Sequence, residues 1–181
     1  MHRRKLFALL LIAGVLVACR GAARAQERRA SPHDKTSATI GGSDMTIVYG
    51  RPYTRGRKIF GSLIRYEEVW CPGADEATYL TTTRPLKVGN LSVPAGSYSL
   101  WIQPSEDVWT LIFNKDWNTF HTSYRARSDF GRVPMQKDTL PATIEQLTFT
   151  IEPNLPASPG AGGRIAMAWA TTKASVAFTV E

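Results

Sequence analysis

Apolar side chains recur at every second position in one segment after another, and that period commits the chain to β structure. Leu147, Phe149 and Ile151 alternate with Thr148, Thr150 and Glu152. Trp109, Leu111 and Phe113 repeat the pattern, as do Tyr98, Leu100 and Ile102, then Ile165, Met167 and Trp169, then Val176, Phe178 and Val180. Successive side chains of a strand point to opposite faces, so this spacing collects each apolar set on one face. Met45 to Tyr49 is β-branched and aromatic between glycines, and Glu76 to Thr83 is rich in threonine; both read as strands. Gly89-Asn90, between Leu86-Lys87-Val88 and Leu91-Ser92-Val93, marks a two-residue hairpin, and Pro94-Ala95-Gly96 marks a turn. No segment carries a sustained helical period. The pattern predicts an all-β domain over 36–181, an antiparallel β-sandwich of jelly-roll-like type with about eight short strands, the last two turning near Thr172-Lys173.

Between these strands lie segments without either period. Arg51 to Leu63 holds a proline, two glycines and four basic residues and is expected to be an ordered loop. Lys115 to Pro141 is the least regular stretch, dense in aromatic and basic residues. Pro153 to Gly163 is a flexible loop by composition, and 26–35 is a polar tether.

The N-terminus has the form of an export signal. His2-Arg3-Arg4-Lys5 is a basic start, followed by 12 apolar residues from Leu6 to Val17, too few to span a bilayer as a helix. Residues 1–25 are therefore expected to be a signal peptide, and two processing sites compete. Ala23-Arg24-Ala25 is a small-x-small site before Gln26, whereas Leu16-Val17-Ala18-Cys19 has the form of a bacterial lipobox in which Cys19 would be lipidated. The expected location is the periplasm or, through that lipid, the outer membrane, with no other membrane association. Of the 22 basic residues, Arg3, Arg4, Lys5, Arg20 and Arg24 precede Gln26; the 17 that remain face 15 acidic ones, a net of +2. So balanced a domain has no field to draw it onto nucleic acid. Either cleavage leaves Cys71 as the single cysteine able to remain a free thiol, which excludes an internal disulfide.

The chemistry-bearing residues are sparse. Adjacent Asp75 and Glu76 suggest general acid/base work, but neighbours in a strand point to opposite faces, and a glycosidase needs two carboxyl groups facing one bond. Of the histidines, His2, His33 and His121, no two have metal-ligand spacing, so neither a metal nor any other cofactor is expected. No nucleophile elbow, phosphate loop or dinucleotide fingerprint occurs. What remains is recognition: Arg51, Arg57, Trp70, Asp75 and Glu76 form the candidate ligand-binding set, since aromatic and arginine side chains together suit a small molecule, a glycan or an envelope-protein partner. The favoured function is a non-catalytic binding or structural module of the cell envelope; the alternative is a glycosidase-like hydrolase using Glu76 and Asp75.

A series of motifs supports that reading. Tyr49-Gly50-Arg51-Pro52, Gly56-Arg57-Lys58-Ile59-Phe60-Gly61, Val69-Trp70, Gly73-Ala74-Asp75-Glu76-Ala77-Thr78, Pro94-Ala95-Gly96-Ser97-Tyr98-Ser99-Leu100, Trp109 and Phe113-Asn114 stand in order. From about Ser31 to Glu181 the chain resembles the domain of unknown function 2911 family. The resemblance implies an exported bacterial protein with a β-rich domain and no established activity, and it supplies no catalytic residues. Where the family pattern after the tryptophan reads Arg-Thr-Gly-Ala-Asn, this chain has Cys71-Pro72-Gly73-Ala74-Asp75, so no ligand role is carried over at those positions.

The lipobox generates a direct prediction. In fractionated cells a tagged wild-type chain should partition into detergent and Cys19→Ser should not; a mature N-terminus at Gln26 would show the lipobox to be unused.

Overall fold

The computed structural model describes residues 30–154 and 161–181. The signal segment 1–25 with Cys19, tether residues 26–29 and loop residues 155–160 lie outside the described residues. The elements are β1 (His33–Ile40), β2 (Ser43–Gly50), β3 (Tyr79–Thr82), β4 (Leu86–Val88), β5 (Leu91–Val93), β6 (Gly96–Gln103), β7 (Trp109–Asn114), β8 (Asp129–Pro153) and β9 (Gly162–Val180). A single 3₁₀ turn, Ala126–Ser128, is the one helical piece among the described residues. All nine strands pair antiparallel in one open sheet, in the order β1-β2-β3-β6-β7-β8-β9-β4-β5. The fold is thus all-β as the alternation requires. The expected jelly-roll-like sandwich takes the coarser form of this one continuous, folded sheet.

The sheet folds because β8 is long enough to serve two neighbourhoods. Its first part, Asp129–Met135, pairs with β7, and its remainder, from Gln136, pairs with β9. The far part of β8 then lies over β2, three places away in the strand order beyond β7. The Tyr49 ring meets the Phe149 ring edge-on at 5.1 Å, and Tyr53 forms a backbone bridge with Gln146. Between the folded faces sits one core, to which Ile47, Leu100, Leu111, Phe113, Leu147, Phe149, Met167 and Trp169 all contribute.

The alternation seen in sequence maps onto this core directly. Leu100, Ile102, Leu111 and Phe113 face inward, while the intervening Trp101 and Ile112 pack on the opposite side with Cys71 and Ala77. Trp101 can be buried there because its indole N–H donates to the Ser99 hydroxyl at 2.9 Å.

Four expectations need correction. His33–Lys35, assigned to the tether, open β1, an edge strand in which half the side chains are exposed and the composition is polar. The irregular stretch from Lys115 ends at Ser128: Asp129 to Pro141 belong to β8, where cross-strand pairing overrides Gly131 and Pro134, and Pro141 falls in the slip between Thr139 and Ile144. No turn occurs near Thr172-Lys173; those residues pair with Thr139 and Asp138 inside β9. The threonine-rich strand is shorter than Glu76 to Thr83, confined to Tyr79–Thr82 with an isolated bridge at Glu76.

Phe149 is 2 % exposed and joins the two faces of the folded sheet. Phe149→Ala should therefore cost about 3–5 kcal/mol in chemical denaturation, whereas a loss below about 1 kcal/mol would show that the faces are not packed together there.

Candidate functional site

The five residues singled out in sequence fall in four places. Arg51 at the end of β2 is used up structurally. Its Nη1 donates to Asp34 at 2.9 Å, its Nε to the Leu147 carbonyl at 3.0 Å and its Nη2 to the Thr148 hydroxyl at 2.8 Å. It ties β1, β2 and β8 together, and its acidic partner is Asp34. Trp70, half-buried, stacks on Trp169 at 6.0 Å and meets Phe60 edge-on at 5.9 Å, so it belongs to an aromatic wall.

Arg57 lines a cleft of about 480 Å³. One side comes from the loop after β2, with Thr54, Arg57, Lys58, Phe60 and Tyr66; the other comes from β8 and β9, with Thr143, Glu145 and Ala170 to Thr172. The cleft exists because the β8–β9 ladder slips. Thr139 pairs with Thr172 and Ile144 with Ala170, so β8 takes five steps while β9 takes two. The excess residues bulge outward, as extra residues in one strand of a pair must. Ala170 at φ 53° marks the same kink on the partner strand.

Within the cleft the polar groups are held in place. Arg57 donates its Nε to the Thr54 carbonyl at 2.9 Å and its Nη2 to the Tyr53 carbonyl at 2.8 Å. Glu145 accepts from the Thr54 hydroxyl and from the Arg55 backbone N–H. These bonds, the Thr54 hydroxyl foremost and the positive charge of Arg57 last, hold the Glu145 carboxyl below its ordinary range. Behind the cleft Phe60 packs edge-on against Trp109 at 4.6 Å and extends the aromatic wall. The result is a concave site with a stiff apolar back, two cationic side chains, one fixed carboxylate and several hydroxyls.

Asp75 and Glu76 meet elsewhere, at His33. Asp75 takes φ 65°, a left-handed conformation that aspartate tolerates better than most residues. That single departure cancels the strand alternation that would send the two carboxylates apart. His33 Nε2 lies 3.3 Å from Asp75 Oδ2 and 3.2 Å from Glu76 Oε2. Gly50, the pairing partner of His33, makes the approach possible: a Cβ there would stand 2.3 Å from the Ala74 carbonyl oxygen, so only glycine lets the turn lie against β2. His121 caps the same turn, its Nδ1 2.7 Å from the Asp75 carbonyl oxygen.

The remainder of the aromatic, basic segment is pinned by Asn114, whose side-chain amide donates to the Arg125 carbonyl and to Asp129 and whose oxygen accepts from the Asp116 backbone N–H. Trp117 and Phe120 on it are exposed. Cys71 is buried, and burial pushes its thiol up to about 12, which leaves no thiolate for nucleophilic work at neutral pH.

Sequence reasoning found Arg57 but not Glu145 or Tyr66, whose role depends on a strand slip that no local pattern announces. It missed His33 as well, because the histidine is 42 residues from Asp75 and looks like part of a tether.

Comparison with known proteins identifies a family. The family model described as protein of unknown function DUF2911 covers residues 31–178, and the chain belongs to that family. No curated protein and no solved structure matches it significantly.

Proposed function

We propose that the domain is a non-catalytic binding module of the bacterial cell envelope, and that it takes a small, hydroxyl-rich anionic ligand, an acidic saccharide, in the Arg57 cleft. The observation that carries this is the cleft itself. Its volume of about 480 Å³ is in the range of small-ligand sites, which pair a mostly apolar back with a few fixed polar groups. Arg57 and Lys58 supply positive charge, Thr143, Thr171 and Thr172 supply hydroxyls, and Tyr66 and Phe60 supply ring surface. An arginine already held by two backbone carbonyls loses little freedom on binding, which favours affinity.

The hydrolase alternative has less support. Glu145 is the one carboxylate among the residues lining the cleft, and a glycosidase needs a second across the bond. Asp75 and Glu76 close on one imidazole nitrogen from a shared turn, an arrangement that leaves no space for a sugar between them.

Calorimetric titration of the full chain with neutral and acidic oligosaccharides tests the proposal. Acidic ones should bind and neutral ones should not. Lys58→Ala, at an exposed position, should weaken binding by about tenfold, the value of a charge-assisted contact. Binding that ignores ligand charge, no binding by any member of the panel, or release of cleaved sugar would overturn it.

A further inference from the structure

We infer that His33, Asp75 and Glu76 form a binding site for a divalent transition-metal ion, independent of the Arg57 cleft. One ligand atom from each, an imidazole nitrogen and two carboxylate oxygens, lie within 4.8 Å of one another. The two nitrogen–oxygen edges are compatible with a shared ion as well as with a direct imidazole–carboxylate contact. Ligand atoms at about 2.1 Å from a shared ion stand about 3.0 Å apart in an octahedral site and about 3.4 Å apart in a tetrahedral one. The His33 nitrogen lies 3.3 Å and 3.2 Å from the two oxygens, between those limits. Both nitrogen–oxygen edges of the trio therefore have coordination lengths, the oxygen–oxygen edge lies within 4.8 Å, and the three side chains are 25 %, 39 % and 56 % exposed.

The donor set selects the ion class. Calcium and magnesium prefer oxygen alone, whereas imidazole suits zinc and its first-row neighbours. One nitrogen with two carboxylates matches Zn²⁺ or a close relative and neutralises its charge. Three protein ligands with open positions is the pattern of sites that keep a water or an exogenous group on the metal. The chain positions this set by long-range means. His33 is held in register by its pairing with Gly50, and the turn bearing both carboxylates is pressed against that same glycine. His121 Nδ1 contacts the Asp75 carbonyl oxygen and fixes the turn from its other side, the kind of outer support that metal ligands depend on.

The test is titration of chelator-stripped full chain with Zn²⁺, followed by calorimetry, and in parallel with Mg²⁺ and Ca²⁺. One Zn²⁺ should bind per chain, raising the melting temperature, with Mg²⁺ and Ca²⁺ at least tenfold weaker. His33→Ala and, separately, Glu76→Gln should each weaken Zn²⁺ at least tenfold. Because Glu76 is exposed, Glu76→Gln keeps the fold and decides the question even if His33→Ala does not fold. Zn²⁺ binding that is absent, or unchanged in Glu76→Gln, would overturn the site and leave an imidazole–carboxylate ion pair in its place. Equal affinity for Ca²⁺ would overturn the assigned ion class.

Discussion

The structure depends on one strand belonging to two neighbourhoods. β8 hands the sheet from β7 to β9 and then carries Leu147, Phe149 and Ile151 back over β2. Because the chain is continuous through that strand, the two faces of the core cannot separate without breaking a ladder. Hydrophobic burial supplies the driving force, and the Arg51 contacts to Leu147 and Thr148 fasten the end of β2 at the place where the faces meet. Losing that arginine would strand a carbonyl and a hydroxyl at a half-buried seam, which costs more than the bonds themselves contribute.

Both candidate sites arise where regular β geometry is broken on this scaffold. The cleft opens at the slip between Thr139 and Ile144, where β8 has residues to spare. The histidine–carboxylate trio needs a left-handed Asp75 and a glycine at 50. Bulges and unusual backbone conformations concentrate at functional positions because they re-aim side chains that an ideal strand would send elsewhere. Each feature is held by surrounding structure: the cleft by the Thr54–Glu145 bond, the turn by His121 and Gly50.

The inward and outward assignments of Leu100, Trp109, Phe149 and Trp169 were legible in sequence, since a period of two is local information. So was the Gly89-Asn90 hairpin, observed between β4 and β5. What was not legible was long-range. The start of β1, His33–Lys35, reads as tether because an edge strand has little to bury, and the first half of β8 reads as loop because Gly131 and Pro134 are overruled by pairing. Asp75 and Glu76 drew notice as a pair, yet their convergence depends on one backbone angle and their partner on a distant register. Arg51, chosen as a ligand residue, is placed in a clamp, and no property of the neighbouring residues distinguishes those two fates.

That the fold is one unit closed through β8 is tested most directly by native-state hydrogen exchange, read strand by strand under mild denaturant. The account predicts that the buried amides of β2, β6 and the Leu147–Ile151 part of β8 exchange only through a common opening, with one free energy and one denaturant dependence. Earlier, independent opening of β1, β2 and β3 while β8 and β9 stay protected would contradict it.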